Sequence, residues 1–300
     1  MRRTSKRRTT SRSQKGKRQS VYIVDAYDNP EVGGDFAAYR KAMGLPEGTL
    51  NKYNQDGQMG YYPAGSPGWG VEIDLDVEMA SASCPKCTID LVEANSNAWT
   101  DIEAAEAEAV TLGGTILSNS YDGSGASESY YDTKGVTYLA SAGDVGLGLY
   151  DPATFQAVIA VGGTVLNTAK GKRGYSETVW PDSGGGCSAT DEAKPPWQKD
   201  PDCKYRTGND VAAVAVNAAE YDTYSEGGWI TVDGTSISSP AWSHSRATPP
   251  NKTVARCSGR FQRPNRESTS MASQTAATAV RATTISANAE PNSSEDSAVP

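Results

Sequence analysis

Gly234-Thr235-Ser236-Ile237-Ser238-Ser239-Pro240 combines a glycine, two hydroxyl residues and a run of small side chains closed by proline. A serine in such a run stands at a helix N-terminus, where backbone N–H groups and the helix dipole favour a developing oxyanion. The small residues after it let that helix approach a sheet. The same pattern also fits a Ser/Thr-rich turn capping an ordinary helix. A nucleophilic serine needs a general base. The single histidine of the chain is His244, about two turns further down the same helix, where it cannot sit beside the Ser236 hydroxyl. A Ser-His-Asp arrangement around Ser236 is thereby excluded. The base must be a carboxylate or a lysine.

Glu72 and Asp76 supply a carboxylate pair. Ser66-Pro67 reads as a helix N-cap and first helical position. A helix from Trp69 to Ala82 places Glu72 and Asp76 four residues apart on one face. The apolar residues at 71, 73, 75, 77 and 79 also fit a strand. In that case Glu72, Asp74, Asp76 and Glu78 share one face, so the pair stays together either way. Like charges this close push one pKa up and make a carboxyl usable as an acid or base. A solvated acidic face is the plainer reading of the same pattern.

A third element is Ser141-Ala142-Gly143-Asp144-Val145-Gly146, directly after the strand-like run Val136–Ala140. An acidic residue at the C-terminal end of a parallel strand lies where open α/β sheets build their sites. Protonated, Asp144 can donate a hydrogen bond to an oxyanion; an Asx-turn is the local alternative.

Further strand-like runs are Val21–Val24, ending at Asp25, then Thr88–Val92, Thr115–Ser118 and Ala157–Val161. Helix-like segments are Asp35–Met43, stopping at Gly44, and Thr100–Leu112, closed by Gly113-Gly114. Strands separated by such helices predict an α/β fold with a parallel sheet flanked by helices on both faces.

Charge divides the chain into three blocks. Residues 1–20 hold nine Lys or Arg and no acid, and read as a basic disordered segment. Residues 21–240 hold 12 basic and 32 acidic side chains and form the globular core. Such a surface repels nucleic acid. Residues 241–300 are rich in Ser, Thr, Ala, Asn and Arg without sustained periodicity, and read as a low-complexity, disordered tail. No apolar stretch reaches membrane-spanning length, so no membrane partner is expected. Five cysteines stand at 84, 87, 187, 203 and 257. Cys84-Pro85-Lys86-Cys87 has the spacing of a redox or zinc pair, but the second pair lacks a C-x-x-C partner. Two disulfides with Cys257 left over fit better and imply an oxidising compartment.

Taken in order, Val24-Asp25-Ala26-Tyr27-Asp28-Asn29-Pro30, Trp69-Gly70-Val71-Glu72 through Asp76, Cys84-Pro85-Lys86-Cys87, Ser118-Asn119-Ser120, Ser141–Gly146 and Gly234–Pro240 resemble segments of the sedolisin (serine-carboxyl peptidase) family. Lys194-Pro195-Pro196-Trp197-Gln198, with Cys203, Arg206 and Asp210-Val211, does so too. The resemblance covers residues 21–240. It implies a subtilisin-like fold, peptide or protein substrates, action in acid, a monomer and secretion. It makes Ser236 the nucleophile, Glu72 its general base, Asp76 the partner that orients Glu72, and Asp144 the oxyanion donor. Ser118, Asn119 and Ser120 would line the substrate groove. With the cysteine spacing, it pairs Cys187 with Cys203 and Cys84 with Cys87.

The sequence departs from the family at both ends. Nine basic residues precede Val21 where the family carries a pro-segment, and no apolar signal-peptide core follows them. After Pro240 the family continues into a long apolar helix and a calcium site. Here Pro249-Pro250 ends any helix before it, and Asp296 is the only aspartate beyond. No cofactor is visible and no metal ligand is expected. An inactive peptidase-like remnant is the alternative to an acid-acting endopeptidase.

Overall fold

The computed structural model describes residues 19–170, 174–188 and 191–247. The basic run at 1–18, Cys257, Pro249-Pro250, Asp296 and the tail expected from 248 to 300 lie outside the described residues.

The first half of the chain is built from β1 (Ser20–Ala26), α1 (Val32–Ala42), β2 (Thr49–Asn54), α2 (Pro67–Ser83), β3 (Thr88–Ala94), α3 (Trp99–Thr111), β4 (Ile116–Asn119) and β5 (Thr137–Ser141). The second half adds β6 (Val158–Thr168), β7 (Tyr175–Val179), β8 (Gly186–Cys187), β9 (Thr207–Gly208), β10 (Val211–Val214), β11 (Ala218–Asp222), β12 (Gly228–Val232) and α4 (Thr235–Ala247). The main sheet has the order β10-β6-β5-β4-β1-β3-β2, all parallel, with β7 added antiparallel to β6. Two antiparallel hairpins, β11-β12 and β8-β9, stand outside it.

β1 shows why the sheet is covered on both sides. Its successive side chains point to opposite faces, and both faces are apolar. Tyr22, Val24 and Ala26 pack with Ile102, Ala105 and Ala109 of α3. Val21 and Ile23 pack with Ile73, Val77 and Ala80 of α2 and Phe36 of α1. The expected doubly covered parallel sheet is the observed one.

Residues 67–83 form a helix, not a strand. Pro67 takes its first turn, where a missing N–H is harmless; Ser66 precedes it without a side-chain capping bond. The plainer reading of a solvated acidic face fails, because Asp74, Asp76 and Glu78 are fully buried. α2 lies beneath the sheet, against α1, α4 and β11.

α4 runs across residue 240, where the core was expected to end. The helix continues to Ala247 with Pro240 inside it; Ala241 and Ser243 are buried. The Trp242 indole N–H donates to the Ala212 carbonyl at 2.8 Å.

The disulfides are Cys84–Cys87 and Cys187–Cys203. The second closes a 16-residue separation around β8 and β9. By the chain-entropy model a loop of that size contributes about 3 kcal/mol. A Cys187→Ser/Cys203→Ser chain should therefore melt several degrees lower, as calorimetry would show. An unchanged melting temperature would mean that the loop holds itself.

Candidate active site

α4 starts where β12 ends, and Ser236 sits in its first turn. Its neighbours are committed elsewhere. Ser238 Oγ donates to the carbonyls of Ala213 and Val214 at 3.1 and 3.0 Å. Ser239 Oγ shares a 2.8 Å hydrogen bond with Ser118 Oγ on β4. These bonds seat the helix against the sheet, which the small side chains permit. Ser236 is half-buried between two buried residues, Thr235 and Ile237. Its hydroxyl lies close enough to Glu72 to pull that carboxyl's pKa down.

Glu72 and Asp76 lie one turn apart on α2. Asp76 Oδ1 accepts from Ser120 Oγ at 2.8 Å. Asp25, at the end of β1, completes a set of three; it is fully buried and neither of its carboxylate oxygens has a donor. Glu72 Oε1 and Asp76 Oδ2 are likewise buried without one. Burial pushes the Asp25 carboxyl up to about 7. Burial, then the charges of Asp25 and Asp144, raise Glu72 to about 8 against the opposing pull of the Ser236 hydroxyl. Asp76 is driven well above the carboxylate range by burial, Asp25 and Glu72. Three carboxyls that feel one another's charge, with four oxygens lacking donors, hold protons among themselves.

Asp144 faces the start of α4. Its Oδ1 accepts from the Thr235 N–H at 2.8 Å and from Thr235 Oγ1 at 2.7 Å. Both partners come from the far end of the chain, so Asp144 is not held by an Asx-turn. The carboxyl is exposed. Two glycines make room here, Gly143 for Asp122 and Gly234 for Asp144. Gly143 has φ +90°, and a Cβ there would meet Asp122 Oδ2 at 2.5 Å. A Cβ at Gly234 would lie 3.0 Å from Asp144 Oδ2. Ser236, Glu72, Asp76 and Asp144 are thus brought together from α4, α2 and the loop after β5.

Ser118, Asn119 and Ser120 lie beside them, but their side chains turn inward. All three are buried, Asn119 Oδ1 accepting from the Tyr121 hydroxyl at 3.1 Å.

The sequence marked Asp25 as the end of a strand and within the Val24–Pro30 segment, without a role in the site, and Glu106 was passed over. Glu106 is fully buried on α3. It accepts from the Tyr121 hydroxyl at 3.0 Å, and burial raises it to about 8. A polar residue closing an all-apolar strand was the available signal for Asp25.

No protein-family model and no curated protein matches the chain. Among solved structures it is similar to Pseudomonas sedolisin, a serine-carboxyl proteinase complexed with two molecules of pseudo-iodotyrostatin. The identity is 24%, the TM-score 0.66, and the match covers 81% of this chain and 76% of that one. It is also similar to the S41 psychrophilic protease, with 17% identity, a TM-score of 0.52, and 80% and 79% of the two chains covered. At these identities the likeness is one of fold. The chain has the α/β fold shared by sedolisin and the subtilisin-like serine proteases.

Proposed function

We propose that the chain is a serine-carboxyl endopeptidase that cleaves peptide bonds of exported or extracellular substrates in acid, as a monomer. The observation that carries this reading is the approach of the Ser236 hydroxyl to Glu72, which pulls that carboxyl's pKa down, at the mouth of a buried, histidine-free carboxyl cluster. Ser236 Oγ attacks the scissile carbonyl carbon as its proton passes to Glu72. That proton then goes to the leaving amine, and water repeats the cycle on the acyl-enzyme. Asp76, held by Ser120, and Asp25 share the cluster's protons with Glu72, the member that reaches Ser236. Asp144, fixed on Oδ1 by Thr235, offers a proton on Oδ2 to the oxyanion. The two disulfides suit an oxidising compartment.

Ser236→Ala removes the nucleophile and leaves the carboxyls in place. Cleavage of a mixed peptide substrate at pH 4 should fall by a factor of about 1000 or more with the fold unchanged by circular dichroism. Equal cleavage by wild type and Ser236→Ala would place the nucleophile elsewhere. An inert wild type would leave the peptidase-like remnant as the reading.

A further inference from the structure

A second acidic group lies deeper, behind the candidate active site. Asp35 of α1, Asp74 of α2 and Asp222 at the end of β11 are 2%, 0% and 0% exposed. One oxygen from each lies within 4.8 Å of the other two. Each carboxylate is aimed by a neutral donor. Thr223 gives its N–H and hydroxyl to Asp35 at 3.0 and 2.8 Å. Asn29 Nδ2 reaches Asp74 Oδ2 at 2.6 Å, and the Ser225 N–H reaches Asp222 Oδ1 at 2.8 Å. The remaining oxygens, Asp74 Oδ1 and Asp222 Oδ2, are buried with no donor at all.

No protein cation answers this charge. Lys52, whose charge Asp74 does feel, is bonded to Asp28 and to the Asn29 carbonyl at 2.9 Å. Arg40 of α1 donates to the carbonyls of Pro46 and Pro85. Among the described residues no lysine or arginine pairs with Asp35, Asp74 or Asp222. Uncompensated buried carboxylates are costly. Three hard oxygen ligands, each oriented by a second hydrogen-bonded partner, form the kind of site that repays the cost with a hard divalent ion. No two of these oxygens are farther apart than 4.8 Å, about twice a calcium–oxygen bond of ~2.4 Å, so one ion can reach all three.

We propose that Asp35, Asp74 and Asp222 bind one calcium ion, with water completing its shell. The ion ties α1, α2 and the β11-β12 hairpin together. Because Asp74 lies between Glu72 and Asp76, and the hairpin leads into α4, it also fixes the two elements that carry the base and the nucleophile. The site does not depend on peptide cleavage, and neither does its test.

The full chain, stripped with EDTA and dialysed at pH 6, is titrated with CaCl2 in a calorimeter and melted with and without 1 mM CaCl2. The wild type should take up one calcium through this site, and its melting temperature should rise by about 3 °C or more. Asp222→Asn keeps the shape and removes one charge. It should bind calcium at least ten-fold more weakly and melt at the same temperature in CaCl2 as in EDTA. Asp35→Asn gives the same comparison if Asp222→Asn does not fold. Wild-type protein that takes up no calcium would overturn the site, and its carboxyls would then be neutralised by protons. Calcium bound equally by wild type and variant would overturn it too, by placing the ion elsewhere.

Discussion

Glu72→Gln should lower kcat for peptide cleavage at pH 4 by about 1000-fold while leaving the fold intact. The amide has the same shape and can still accept the bond from Ser236, so binding of substrate and the position of α2 stay as they are. What is lost is the ability to take the proton, and a positioned base typically contributes about 100- to 10000-fold. The substitution also removes one of three buried acids that repel each other. Its melting temperature at pH 7 should therefore equal or exceed that of the wild type. Loss of activity with a raised melting temperature separates a catalytic carboxyl from a structural one. A variant that melts much lower and loses activity only through unfolding would argue for a structural Glu72.

The second large effect is on stability against pH. Asp25 and Glu106 are fully buried, and burial sets their carboxyls at about 7 and about 8 in the folded chain. Unfolded, such groups titrate at about 4. Folding thus raises both values. Their contribution is complete below about pH 4 and fades as pH climbs through 7 to 8, where the folded chain must ionise them in place. A carboxyl whose pKa rises by one on folding gains about 1.4 kcal/mol from staying protonated. Even after a generous discount for relaxation, the two together make several kcal/mol. The midpoint of urea unfolding should accordingly be higher at pH 4.5 than at pH 8. Asp25→Asn and Glu106→Gln should flatten that dependence. A chain more stable at pH 8 than at pH 4.5 would contradict these assignments.

The parallel sheet was legible because its strands are buried on both faces and read as unbroken apolar runs, as at Val21–Val24 and Thr88–Val92. α2 was not legible as helix or strand, and the reason is its position. A helix enclosed by the sheet, α1, α4 and β11 is buried nearly all round from Ile73 to Ala82, so no polar stripe marks its period. Its acids looked like a surface pattern for the same reason. The β11-β12 hairpin escaped notice because Ala218–Asp222 carries Glu220 and Asp222, both fully buried, where a strand is expected to be apolar. The Ser236, Glu72, Asp76 and Asp144 set was approachable from sequence because the lack of a usable histidine forces a carboxylate to serve. The trio of Asp35, Asp74 and Asp222 was out of reach. Its members are assembled by contacts between elements far apart in the chain, and no local spacing records them.

The most direct test of the serine-carboxyl reading is the dependence of kcat/KM for a peptide substrate on pH, from 3 to 8. As the buried carboxyls ionise through about 7 to 8, repelling charges accumulate beside Glu72 and the proton-sharing set is lost. The ratio kcat/KM should therefore be higher in acid than at pH 8 and fall as pH rises through neutrality. A profile that rises steadily through pH 7, or wild-type protein that cleaves nothing at any pH, would contradict the account.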